Sequence, residues 1–353
     1  MLETLTKNLG KNGPLTGDQI EAAVAALAGA ETSVEIKADF LAALARRGET
    51  VAEIAGFARE LGRRAIEPPI DGATRARQIL DVCGTGGDRL NTFNISTTVA
   101  LVAAAAGAPV AKHGNRAITS QAGSADVLEA LGIKIDMTPE MAARSLREHN
   151  FAFFFAPNYH PAFRLIGPAR RLCGERGQKT IFNYLGPLLN PARPAAQLVG
   201  VPRAGLCLPL ATVLQSLGVR RGMVVCGLVS DGEQTRGLDE LSTLGANTVA
   251  EFYQPSGVAE FCLEPANFPV QAAQLADLGG GDRATNAEIV RRLLRGAERG
   301  PKRDAVLLNS AAALLLAEKC RSLTEGWEVA AELIDGGKAM AKLQELIHDA
   351  GRQ

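Results

Sequence analysis

Two stretches of the chain repeat one pattern, and that pattern limits the fold more than any other feature. A short apolar run ends in a turn rich in glycine and hydroxyls, and a segment of helical character follows. The first stretch is ILDVCGTGGDRLNTFNIST leading into TVALVAAAAG; the second is APVAKHGNRAITSQAGSADVLEALG. FAFFFAP, from Phe151, is unbroken in its apolar character and reads as a strand buried on both faces. Between them Thr138-Pro139-Glu140 offers an N-cap and a proline at the first helical position for MAARSLREH. QLVGV, GMVVCGL and NTVAEFY continue the strand signals, while LLNSAAALLLAE and EGWEVAAELI are helical. Strands alternating with helices predict an α/β fold with a mostly parallel central sheet covered by helices. No GxGxxG with a following acidic residue opens the domain, so the nicotinamide-binding arrangement is excluded.

The first 65 or so residues differ in character. Thr16 with Gln19, and Thr50 with Glu53, have the spacing of capping boxes. ADFLAALARRGE reads as an amphipathic helix closed by Gly48. Helices this short are marginal alone and must pack together. Pro68-Pro69 and a turn at Asp71-Gly72 then mark a hinge near 66–75. A chain of 353 residues has room for two domains. Lysine plus arginine equals aspartate plus glutamate at 38 each, so no charge excess recruits nucleic acid or an anionic membrane. The six scattered cysteines fit reduced thiols in a cytosol. MLETLTKNLG carries no long apolar run, so no signal peptide is expected. The longest apolar runs are too short to span a bilayer.

Four segments have the means for chemistry. In DVCGTGGDRLNTFNIST, Gly84, Gly86 and Gly87 let backbone amides approach a ligand, and Asn94, Ser96 and Thr97 stand at the start of the next helix. Amides, hydroxyls and a helix N-terminus make an anion site; a capped glycine turn is the bland alternative. In VAKHGNRAITSQAGSADV, Lys112 and Arg116 can offset phosphate charge, and His113 is either a donor or base or a structural loop histidine. Ser124 is an N-cap, a phosphate donor or both. Both turns converge on the carboxyl edge of the sheet, where open α/β folds bind ligands. In the proline- and aromatic-rich run from Phe153 to Pro191, Arg170 or Arg164 can meet a carboxylate through two hydrogen bonds, with Phe163 and Tyr184 flanking an aromatic substrate; a helix with a charged surface across FRLIGPARRL is the bland alternative. Finally, Asp239-Glu240 in GLVSDGEQTRGLDELS is either the acidic first turn of a helix or a pair of hard ligands for magnesium beside a phosphate.

These segments occur together, and in order, in one known family. GTGGD at Gly84–Asp88, NTFNIST at Asn91–Thr97, VAKHGNR at Val110–Arg116, HPAFR at His160–Arg164, TIFNYLGPLLNP at Thr180–Pro191 and GLDELS at Gly237–Ser242 closely resemble the anthranilate phosphoribosyltransferases. The likeness runs from about Leu15 to the final helices. GTGGD with NIST is shared with related phosphorylases, whereas KHGNR joined to HPAFR and TIFN is more specific. The resemblance implies a small N-terminal helical domain, residues 1–68, that is discontinuous and also takes in about 165–190. A hinge at 69–75 would lead to a larger α/β domain, 76–164 and 191–353, as in pyrimidine-nucleoside phosphorylases. It implies transfer of a phosphoribosyl group from phosphoribosyl pyrophosphate to anthranilate, the second dedicated step of tryptophan synthesis, in a cytoplasmic homodimer joined through the helical domains.

On the same basis the donor would meet Gly84, Gly87, Asp88, Thr92, Asn94, Ile95, Ser96 and Thr97, then Lys112, His113, Gly114, Asn115, Arg116, Ala117, Ile118, Thr119 and Ser120, and finally Ser124. Anthranilate would lie near Gly84, His113 and Asn115, with Arg170 on its carboxylate. Ser96 and Glu240 would hold one magnesium ion, and Asp239 with Glu240 a second. No covalent nucleophile is implied, and no hydroxyl has an activating base in the sequence. Two segments depart from the family pattern: LCGERGQK lengthens the run from Arg170 to TIFN, and LVSDGEQTRGLDE replaces a histidine with serine and lengthens the approach to the acidic pair. The rival readings are a pyrimidine-nucleoside phosphorylase of the same fold, which needs no magnesium, and a non-catalytic phosphoribosyl- or nucleic-acid-binding module. The latter lacks a basic-aromatic stripe.

Overall fold

The computed structural model describes residues 1–9, 13–117, 121–231 and 234–350. Four helices, Leu2–Asn8, Gly17–Ala28, Val34–Arg47 and Val51–Gly62, open the chain. Both capping boxes form as their spacing predicts. Glu53 does more than cap: its buried carboxylate also accepts from Leu15 N at 2.8 Å and pairs with Arg47, tying three helices at one point. Gly48 closes the third helix at φ 89°, a left-handed conformation that costs glycine little. Asp71-Gly72 is not a simple turn. Asp71 caps a one-turn helix, Gly72–Arg75, by accepting from Thr74 N at 2.9 Å.

The helix Ala162–Glu175 returns to pack against Val34–Arg47. Lys37, 3% exposed, fastens the two: its Nζ donates to Gly29 O at 2.7 Å and to Leu165 O at 3.2 Å. The lengthened run after Arg170 extends this helix and ends it in a turn through Gly177 at φ 67°, with Arg176 paired to Asp39 at 2.9 Å. One apolar cluster joins the N-terminal helices, the Ala162–Glu175 helix and Phe182–Leu185 to the helix Cys207–Ser216. It continues onto one sheet face through Val199, Val224 and Phe252.

The strands are β1 Leu80–Gly84, β2 Val110–Gly114, β3 Phe151–Phe155, β4 Ala196–Gly200, β5 Arg221–Asp231, β6 Gln234–Leu238, β7 Asn247–Tyr253 and β8 Ala259–Leu263. Their order is β3-β2-β1-β4-β5-β7-β8, with β6 paired to the far half of β5. From β3 to β5 every pairing is parallel, whereas β6, β7 and β8 are antiparallel additions. β3 is buried through Phe154 although it ends the sheet, because helices cover both of its faces. The other sheet face packs under Ile95–Ala105 and Pro301–Leu316. Chain order reverses between β1 and β4, so the crevice at their carboxyl ends is where an α/β sheet of this kind takes a ligand. No helix of the described residues is long and apolar enough to cross a membrane.

Candidate active site

The acidic pair sits in that crevice. β5 and β6 form a hairpin, Gly227 opposite Leu238, which carries Asp239 and Glu240 over the ends of β1 and β4. They follow a strand and begin no helix, so the helix-start reading is overturned. Glycine is required beneath them: a Cβ on Gly84 would lie 2.6 Å from Asp239 Oδ2, and one on Gly200 1.5 Å from the Asp239 carbonyl oxygen.

Two carboxylates are stitched into the glycine turn and the helix beyond it. Gly86 N donates to Asp239 Oδ2 at 2.6 Å, and Ser96 N donates to Glu240 Oε1 at 3.0 Å. Glu240 therefore occupies a helix N-terminus, where negative charge is favoured. Asp88 completes an acidic group, its Oδ2 3.5 Å from Asp239 N. Burial first, then the charges of Asp88 and Glu240, push the Asp239 carboxyl well above its ordinary range. Burial also raises Glu240 to about 7, against the pull of Lys112 and the Ser96 amide. Three crowded carboxyls, with Asp239 and Glu240 raised, are what a cation would relieve.

The turn is held in left-handed conformations at Gly86, Gly87, Arg89 and Asn91, with φ of 74°, 90°, 57° and 53°. Thr92 bridges to Gly279, and Asn94 is the N-cap of Ile95–Ala105 without a side-chain capping bond. Asn94 Oδ1 and Thr97 Oγ1 are buried with no hydrogen-bond partner among the described residues. Unspent polar atoms at a helix start suit a ligand with both donors and acceptors. Ile95 itself is buried apolar surface.

On β2, Lys112 is 1% exposed and donates to Val82 O at 2.7 Å and, at 3.4 Å, to Ser96 Oγ. Burial lowers its pKa, with the charge of Asp81 opposing. Asp81 is itself raised to about 6 by burial; Asn190 Nδ2 donates to it at 2.8 Å. Gly114 ends the strand and Asn115 caps the following turn through its own side chain, Oδ1 accepting from Arg116 N at 2.8 Å. The Arg116 guanidinium pairs with Asp126 and Glu129 at 3.0 and 2.9 Å. Ala117 N is bound to Asp126 Oδ2 at 2.9 Å. Ser124 is not the N-cap. Gly123 holds that position, and Ser124 is the first helical residue with Oγ 3.5 Å from Asn115 O. Ile118, Thr119 and Ser120 lie outside the described residues.

A row of rings leads from β2 to Arg170. His113 Nε2 and His160 Nε2 are 3.2 Å apart, His160 stacks on Phe163 at 4.9 Å, and Phe163 meets Phe182 edge-on at 5.8 Å. Burial holds both imidazoles neutral, lowering His113 to about 3 and His160 to about 4. The half-buried Arg170 guanidinium lies 5.0 Å from the Phe182 ring and 5.9 Å from Phe163. Among the described residues it has no ion pair and no hydrogen bond. A desolvated planar cation framed by rings is a receptor for an aromatic carboxylate. Arg164 is exposed. The Tyr184 hydroxyl accepts from Arg203 Nη2 at 3.2 Å, and Phe182, not Tyr184, is the second ring beside Arg170. His160 and Phe182 were present in the motifs as residue types, but only the packing brings them to the site.

Comparison with known proteins agrees with this geometry. Residues 76–340 match the glycosyl transferase family, a/b domain, and residues 3–65 its helical bundle domain. An anthranilate phosphoribosyltransferase of Herpetosiphon aurantiacus is 45% identical over 319 residues, 90% of each chain. The crystal structure of that enzyme from Thermus thermophilus superposes with a TM-score of 0.86 at 40% identity, covering 98% of this chain and 99% of the other. The Saccharomyces cerevisiae enzyme in complex with PRPP and Mg gives 0.87 at 27% identity, over 100% and 98%. With its strand order, acidic hairpin and matching partners over its whole length, the chain belongs to the anthranilate phosphoribosyltransferase family.

Proposed function

We propose that the protein transfers the 5-phosphoribosyl group of phosphoribosyl pyrophosphate to the amine of anthranilate, giving N-(5-phosphoribosyl)anthranilate and pyrophosphate, the second step of tryptophan synthesis from chorismate. The observation that carries this is the pairing of two opposite sites on one sheet edge. An acidic hairpin lies against amides at one end, and a guanidinium without an ion pair among the described residues lies beside phenyl rings at the other. Yeast relatives in complex with PRPP and Mg, and with 4-fluoroanthranilate, support these two substrates.

The donor's phosphates lie along the turn of Gly84, Gly87 and Asp88, the residues Thr92 to Thr97, and the segment from Lys112 to Ser124. Arg170 takes the anthranilate carboxylate, with Gly84, His113 and Asn115 about the ring. The acidic residues fit magnesium, being hard oxygen ligands beside a phosphate site. Ser96 with Glu240 would hold one ion and Asp239 with Glu240 a second. Bound magnesium stabilises pyrophosphate charge.

The chain's own residues orient the reaction. The C1–O bond to pyrophosphate breaks as the amine nitrogen forms its bond to C1, pyrophosphate leaves with the electron pair, and the amine loses a proton. The ribose passes through oxocarbenium character without a covalent enzyme intermediate. Arg170 and the ring row fix the amine's approach, which supplies rate by positioning. Lys112, beside Ser96 and Glu240, keeps positive charge next to the phosphates. Residues 1–68 with about 165–190 form the helical domain, and 76–164 with 191–353 the α/β domain. Motion at 69–75 closes the site against water. The working form is a cytoplasmic homodimer joined through the helical domains.

Incubation of purified protein with anthranilate, phosphoribosyl pyrophosphate and magnesium is expected to abolish anthranilate fluorescence, and chelation to stop the loss. Absence of turnover together with phosphorolysis of uridine or thymidine would replace this reading with a nucleoside phosphorylase.

A further inference from the structure

The lengthened lead into the acidic pair contains Arg236, a residue that none of the ligand assignments uses. It stands on β6 opposite Val229, three positions before Asp239. Its Nη2 donates to Asp88 O at 2.8 Å and to Arg89 O at 3.1 Å. Among the described residues no other donor reaches either carbonyl, and the loop belongs to no strand or helix that would satisfy them. Arg89 is also a non-glycine residue at φ 57°, a conformation that needs support from its surroundings.

Four bonds therefore lace β6 and its exit to the glycine turn. Arg236 takes the carbonyls of Asp88 and Arg89, Asp239 Oδ2 takes the Gly86 amide, and Asp88 Oδ2 faces the Asp239 amide. The two arginine bonds differ from the others in kind. They bind the carbonyl side of the turn, whereas an anion would use its amide side. Holding the Asp88 and Arg89 carbonyls against one cation fixes two successive peptide planes of the turn, the second of which has its amide, Leu90 N, bonded to Asp88 Oδ1 at 3.1 Å.

We infer that Arg236 is a positioning residue for the phosphoribosyl donor: it presets the Gly86–Asn91 turn for phosphate without touching the donor or anthranilate. This rests on the transfer reading above. A guanidinium serves here because one planar group reaches two successive carbonyls, which a lysine ammonium does less well.

The test is steady-state kinetics on Arg236→Met and Arg236→Lys beside the parent, with thermal unfolding of each and calorimetric titration with phosphoribosyl pyrophosphate plus magnesium. Loss of two charge-assisted bonds is expected to raise the donor KM and Kd of R236M about tenfold or more. The anthranilate KM should stay within about twofold, as for an independent site. R236K should recover part of the donor affinity. A donor KM unchanged in both variants, or donor and anthranilate KM rising together, overturns the inference while the active parent leaves the transfer reading intact. If R236M does not fold, R236K decides alone: a raised donor KM at unchanged anthranilate KM supports the role, and parental values for both overturn it. A parent without transferase activity would instead remove the functional reading itself.

Discussion

The two ends of the site satisfy their polar groups in opposite ways. At the donor end the carboxylates of Asp239 and Glu240 are already bonded, to the amides of Gly86 and Ser96. At the acceptor end Arg170 has rings beside it and no counter-charge among the described residues. On the proposed reading a metal would meet carboxylates already oriented by amide bonds and still holding free lone pairs, whereas the anthranilate carboxylate would meet a cation framed by rings. An oriented acidic end suits a large, multiply charged ligand arriving with its cations, and an end with one cation suits a small monoanion.

The largest test of this contrast is Glu240→Gln. It keeps the shape and the Ser96 bond but removes charge, and is expected to lower kcat/KM by on the order of a hundred- to a thousandfold. Steady-state rates across a magnesium series check it; parental activity would show that the hairpin carboxylate holds no metal. Next in size is Arg170→Ala, for which the anthranilate KM should rise by roughly ten- to a hundredfold, the worth of a charge-assisted, two-pronged contact. Equal rises in both substrates' KM would dissociate Arg170 from the carboxylate.

How these ends were legible in the sequence follows the same contrast. Capping boxes at Thr16 and Thr50, the β1 and β2 turns and the Pro139 helix start are local patterns, and each forms where its spacing predicts. β6 and β8 were not legible: QTRGL and AEFCL are largely exposed and lack an apolar alternation. Without β6, Asp239-Glu240 looks like the acidic start of a helix, because only pairing with β5 turns the segment into a hairpin. Ser124 similarly yields the cap to Gly123, whose backbone fits closely against Asn115 and Ala117. Tyr184 and Phe182 are near neighbours in one motif, and which ring meets Arg170 depends on how Phe182–Leu185 packs. The alternating strands and the resemblance carried the fold. The contacts across it required tertiary packing.

Smaller effects sharpen the account of what supports the donor end. Gly200→Ala would drive a methyl into the Asp239 carbonyl, 1.5 Å from the ideal Cβ, and overpacking of this kind costs about 3 kcal/mol. Urea unfolding should register that loss together with weaker donor binding; a stable, fully active variant would argue that the hairpin moves freely.

The paired histidines predict a gentler, pH-dependent effect at the acceptor end. Their folded pKa values, about 3 and about 4, lie below the ordinary 6.5, so the unfolded chain takes up protons first as pH falls. Their contribution is full above pH 6.5 and is lost as pH drops through the window toward those values. The slope is at most about 1.4 kcal/mol per pH unit for each ring. Urea midpoints between neutral and mildly acidic pH should show a shallower decline in His160→Gln than in the parent; equal slopes would contradict a neutral His113–His160 pair.

Crossing the two end-specific variants tests the division of the site most directly. Both KM values are measured in Arg170→Ala and in Glu240→Gln under the same magnesium concentration. The expected result is a crossover: R170A raises the anthranilate KM with the donor KM within about twofold, and E240Q raises the donor KM with the anthranilate KM within about twofold. Parallel changes in both constants for both variants would contradict a site built from two separately assigned ends.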